Sequence, residues 1–129
     1  AYSEHRSLER LGDLITVRQY GTGCFIFNQP SDDDIKAAQN GFDDVNKIIH
    51  SGDYNMVILD EANVAVHLGL FEVDQLLDMI RTKPEDVELI ITGRYADKKV
   101  IEFADLVTEM KEIKHYYTQG VEARQGIEK

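Results

Sequence analysis

Two acids close a short apolar run in the middle of the chain: Met56–Leu59 is followed at once by Asp60 and Glu61. A buried strand that ends in an aspartate carries a hard oxygen ligand to its tip, where it can hold Mg²⁺ beside a triphosphate, directly or through water. The neighbouring Glu61 can orient a water or complete the outer metal shell. The plainer reading is a buried strand ending in solvated acids. The five residues Val57-Ile58-Leu59-Asp60-Glu61 do not choose between these readings, because short motifs recur by chance. A second polar tip, Thr92-Gly93-Arg94, closes the apolar run 87–91. The Thr92 hydroxyl can bond a phosphate or the Asp60 carboxylate, and Gly93 permits close backbone approach. Arg94 offers a fork of donors suited to phosphate oxygens. Taken alone, this tripeptide is more often a turn with a surface arginine.

The remaining candidates are weaker. Phe25 and Phe27 flank Ile26 just after the break Gly21-Thr22-Gly23. Such aromatics usually cap a core, but they can also form a flat apolar wall for a large planar ligand. His67 and His115 stand alone, without a second histidine at metal-ligand spacing, and isolated histidines are more often structural. Cys24 reads as a small packing residue. Asp32, Asp33 and Asp34 read as the first turn of a helix and lack the spacing of a calcium loop.

The elements that must position these residues alternate in type. Residues 14–20 are rich in β-branched and apolar side chains and are expected to form a strand. Ser31 offers an N-cap, after which Ile35, Ala38, Phe42, Val45, Ile48 and Ile49 fall on one helical face, up to Ser51-Gly52-Asp53. The unbroken apolar run Met56–Leu59 suggests a strand covered on both faces, as in a parallel sheet. Val73, Leu76, Leu77 and Ile80 mark a second amphipathic helix that ends at Lys83-Pro84. Residues 87–91 are another strand. Val100, Ile101 and Ala104 imply a short helix, residues 106–110 a last strand, and the chain from Lys114 onward a polar tail. Alternating strands and helices predict an α/β fold with a mostly parallel sheet and flanking helices, as one domain over residues 1–129. In such a sheet, ligands sit beyond the carboxyl ends of the strands, so the three polar tips are expected to share one crevice.

Composition limits the function classes. The chain has 129 residues, 43% hydrophobic and 29% charged, enough for a core. Its net charge of −10, with scattered basic residues, argues against nucleic-acid binding. No apolar run approaches the roughly 20 residues of a membrane span. With a single cysteine and no visible secretory signal, the expected compartment is the cytoplasm.

Read in order, these pieces resemble the P-loop type of ATP:corrinoid adenosyltransferase. The matching segments are Val57-Ile58-Leu59-Asp60-Glu61-Ala62-Asn63, Arg81-Thr82-Lys83-Pro84 and Ile91-Thr92-Gly93-Arg94. They continue through Ala104-Asp105-Leu106-Val107-Thr108-Glu109-Met110 and Lys114-His115, then Gly120-Val121-Glu122-Ala123-Arg124-Gln125-Gly126-Ile127-Glu128. The resemblance implies transfer of the 5′-deoxyadenosyl group from ATP to Co(I) of a corrinoid, with triphosphate leaving, in adenosylcobalamin synthesis or salvage. It implies Mg²⁺ held by Asp60 and Glu61, with nucleotide contacts from Thr92, Gly93, Arg94, Lys114 and His115. Phe25, Phe27, Asn63 and His67 would line the corrinoid side, and the Lys114-His115 tail would close over the nucleotide.

The resemblance also implies a P-loop NTPase, RecA-like sheet. That family starts with a strand and a glycine-rich loop ending in Gly-Lys-Thr, and no such segment occurs in this sequence. Its opening residues already match the region after the family's second strand. The sheet is therefore expected to lack its first strand and to have an unpaired edge at its centre. A shortened chain, further residues upstream or pairing with another chain, including a homodimer, would each account for this. The 129 residues alone are expected to be inactive. The alternative is a non-catalytic corrinoid- or partner-binding module that has lost ATP binding.

Overall fold

The computed structural model describes residues 3–21 and 29–127. They fall into two compact units, one from Ala1–Gln19 with Thr108–Lys129 and the other Tyr20–Val107.

In the first unit, helix α1 (Ser3–Leu8) runs into a 3₁₀ turn, Glu9–Leu11. Its C-terminal part has one further 3₁₀ helix, Tyr116–Gln119. The His115 ring Nδ1 caps that helix by accepting from the Tyr117 N–H at 3.0 Å. Gly120, at φ 81°, ends it in the left-handed region that favours glycine.

The second unit carries the candidate site. Helix α2 (Asp32–Ile49) starts where the sequence places it. The Ser31 hydroxyl accepts from the Asp34 N–H, and the Asp34 carboxylate accepts from the Ser31 N–H at 3.0 Å. This reciprocal cap satisfies two donors that have no partner within the helix, and the three aspartates suit its positive end. Gly41 of α2 is buried because the Tyr20 ring lies on it, and a Cβ there would sit 2.6 Å from Tyr20 Cγ. The Tyr20 hydroxyl donates to Asp44 Oδ2 at 2.5 Å.

Strands β1 (Met56–Leu59) and β2 (Glu88–Ile91) pair in parallel, with Met56 opposite Glu88 and Leu59 opposite Ile91. The chain between them forms α3 (Ala62–His67) and α4 (Val73–Thr82). Helix α5 (Lys98–Phe103) follows β2, capped by Asp97 through the Lys99 N–H. The core consists of Ala62, Phe71, Leu76, Leu77 and Val100, and Ala38, Phe42, Leu59, Ile80 and Ile91 pack against it. Leu76 is fully buried. The Phe42 and Phe71 rings lie 5.1 Å apart, at a tilt that suits aromatic pairs. No described helix is long and apolar enough to cross a membrane.

Three expectations from sequence need correction. Met56–Leu59 is covered on one face only, with Met56 and Ile58 51% and 56% exposed. Residues 14–20 and 106–110 form no strand. Strand conformation persists when a neighbour takes up its backbone hydrogen bonds, and β1 with β2 is the only sheet among the described residues. Leu106 and Met110 are 85% and 93% exposed, so nothing rewards an extended ladder there. The α/β class and the parallel pairing are as expected.

Candidate functional site

The carboxyl tips of β1 and β2 are joined by a chain of hydrogen bonds. The Thr92 hydroxyl donates to Asp60 Oδ1 at 2.8 Å and accepts from the Glu61 N–H at 3.0 Å. Below it, the Thr92 N–H donates to the Leu59 carbonyl and the Asn63 N–H to the Thr92 carbonyl. Parallel pairing in the observed register brings both tips to the same end of the sheet. Asp60 and Glu61 are exposed, so water and small ions reach both carboxylates.

The turn after β1 is tight. Glu61 has φ 59°, a left-handed conformation uncommon outside glycine, and the first residues of α3 follow immediately. Gly93 makes room for them. Its φ is 119°, and a Cβ would meet Glu61 Cα at 3.2 Å and Asn63 Cβ at 3.3 Å. Asn63 is only 6% exposed, and its Nδ2 donates to the Gly93 carbonyl at 3.3 Å. Its Oδ1 is buried and has no protein partner among the described residues. Asn63 thus ties α3 to the β2 tip.

The other predicted residues are distributed as follows. His67 is exposed and stacks on Tyr95, with ring centroids 4.3 Å apart. The Arg94 guanidinium lies 5.9 Å from the same tyrosine ring. Lys114 and His115 belong to the first unit, where His115 caps the 3₁₀ helix described above. Phe25 and Phe27 lie outside the described residues. Sequence reasoning passed over Tyr95. Like Glu61 it has a positive φ, 63°, and strained backbone of this kind often accompanies functional sites. Its one sequence signal was adjacency to Arg94.

The donor set at the tip fits Mg²⁺ of a particular kind. Two accessible carboxylates supply hard oxygens, and no cluster of three or more ligating side chains occurs among the described residues. Mg²⁺ is commonly held by one or two carboxylates with the rest of its shell from water and phosphate, so this pair suits a metal shared with a nucleotide.

The chain as a whole is similar to known proteins. The model of the family described as ATP:corrinoid adenosyltransferase BtuR/CobO/CobP matches residues 1–128. The chain belongs to that family. A corrinoid adenosyltransferase of Sinorhizobium is 32% identical over 130 residues, spanning 99% of this chain and 61% of that protein. One from Pseudomonas aeruginosa is 31% identical over 125 residues, spanning 97% of this chain and 62% of its own length. The Escherichia coli K12 enzyme of the same name is 27% identical over 107 residues, covering 83% and 55% respectively. The chain thus spans about 61% of the length of the first of these relatives.

Proposed function

We propose that, within the whole protein, this chain serves the transfer of the 5′-deoxyadenosyl group from ATP to Co(I) of a corrinoid. Co(I) attacks the 5′ carbon, the carbon–oxygen bond to the triphosphate breaks, and the triphosphate leaves with the bonding electron pair. The observation that carries the reading is the junction of Asp60 and Thr92 at 2.8 Å on the shared tip of two parallel strands, in a chain of this family.

Each residue then has a task. Co(I) is already a strong nucleophile, so the protein's main contribution is to hold it in line with the carbon. Asp60 and Glu61 would hold Mg²⁺, which when bound supplies positive charge to the departing triphosphate. Arg94, two residues past the tip, would add a bidentate donor to the same anion. The stacked pair His67 and Tyr95 offers a flat surface on the corrinoid side. We read the two-stranded sheet as part of a larger P-loop, RecA-like sheet in the cytoplasm. The phosphate-cradling Gly-Lys-Thr loop is not within these 129 residues, so they are expected not to turn over alone. The alternative is a non-catalytic corrinoid- or partner-binding module that has lost ATP binding.

The test is anaerobic mixing of the intact natural protein with ATP, Mg²⁺ and a reduced corrinoid, followed by absorbance. A light-sensitive alkylcorrinoid is the expected product. Its absence, with corrinoid still bound, would leave the non-catalytic module standing instead. The Asp60→Asn protein should lose turnover by on the order of 100-fold or more, the scale of removing a direct charge-stabilising group. Unaltered turnover would take Asp60 out of the site.

A further inference from the structure

The Thr92 hydroxyl carries one proton, and that proton is already placed. It lies on the 2.8 Å bond to Asp60 Oδ1, while a lone pair of the same oxygen receives the Glu61 N–H at 3.0 Å. A phosphate oxygen only accepts hydrogen bonds, so it needs from Thr92 the one proton the residue has given away. Of the two partners the sequence offers this hydroxyl, a phosphate or the Asp60 carboxylate, it is engaged by Asp60. We infer that Thr92 is a positioning residue, fixing the Asp60 carboxylate and the left-handed Glu61 backbone in one arrangement. The inference rests on the reading of Asp60 as the metal-facing acid.

The geometry makes the role specific. Thr92 binds Asp60 through one carboxylate oxygen, and among the described residues no protein donor occupies the other. The carboxylate is thus oriented without being neutralised. The Glu61 N–H reaches the same hydroxyl at 3.0 Å, at a residue whose backbone is left-handed, with φ 59°. One hydroxyl therefore couples the orientation of the first acid to the backbone of the second. Partners that orient a metal ligand in this way are worth roughly 10–100-fold in metal affinity.

The experiment uses the intact natural protein and Mn²⁺ as an electron-spin-resonance probe, titrated with ATP present. Binding of ATP in the presence of EDTA is measured separately. Thr92→Val keeps the side-chain shape and removes the hydroxyl, and should weaken Mn²⁺ binding about 10-fold or more, leaving metal-free ATP binding unchanged. Thr92→Ser restores the hydroxyl and should restore the Mn²⁺ affinity. Should Thr92→Val fail to fold by circular dichroism, Thr92→Ala carries the same expectation. An equal loss of metal-free ATP binding in the valine protein would make Thr92 a phosphate ligand and overturn the inference. Mn²⁺ affinity lost with Asp60→Asn but kept with Thr92→Val would overturn it too, with the site intact. Mn²⁺ affinity kept with Asp60→Asn would instead remove the reading of Asp60 on which the inference stands.

Discussion

Gly93 holds the site together through what it lacks. Its φ of 119° lies in a region that L side chains avoid, and a methyl group would press on the Glu61 Cα and the Asn63 Cβ. Gly93→Ala should therefore push the start of α3 away from the β2 tip and cost about 1–3 kcal/mol, as strained backbone of this kind does. Urea denaturation of the two proteins measures this, and an unchanged midpoint would mean that the tip has room to spare. The two strand tips here were legible in the sequence, because an apolar run that stops abruptly at Asp60-Glu61 or Thr92-Gly93-Arg94 states both strand and tip. The burial of Asn63 was not legible. It depends on α3 docking against Gly93, thirty positions further along, and no local pattern encodes that contact. Tyr95 was missed for a related reason: its stack on His67 joins the end of α3 to the chain after β2, a contact no local pattern encodes.

Among the elements, α2 and α4 are joined at their C-terminal ends by one side chain. The His50 ring offers Nδ1 to the Asn46 carbonyl at 2.7 Å and Nε2 to the Thr82 carbonyl at 2.9 Å. Both partners only accept, so the imidazolium, with a proton on each nitrogen, satisfies both at once. The Asn46 carbonyl first and the Thr82 carbonyl second raise its pKa above the ordinary 6.5. A raised folded-state value means that His50 stabilises the fold fully below pH 6.5, and that this contribution fades as pH climbs through the raised value. The melting temperature should accordingly drop across that window, and His50→Gln, which does not titrate, should flatten the drop. An identical pH slope in the two proteins would exclude His50 as its source. The start of helix α2 was legible to the residue because Ser31, the aspartates and the apolar stripe all agree. Residues 14–20 and 106–110 were misread because strand propensity describes a side chain's fit to a sheet, and no neighbouring strand receives them among the described residues.

At the scale of the whole molecule, the two-stranded sheet leaves more apolar surface open than a settled fold usually does. Met56 and Ile58 of β1 and Ile90 of β2 are exposed on one face, and among the described residues β1 pairs with β2 alone. A short strand with a free edge and an uncovered apolar face is a template for further pairing. The 129-residue chain by itself is therefore expected to self-associate as its concentration rises. Sedimentation velocity across a dilution series measures this. Placing a charge on the open face is the way natural proteins block such edges, so Ile58→Lys should shift the distribution toward monomer. Because Ile58 is more than half exposed, the substitution should leave the melting temperature nearly unchanged, which separates blocked association from lost folding. If the chain stays monomeric throughout, or Ile58→Lys associates as strongly, the open face of β1 and β2 is not what brings copies together.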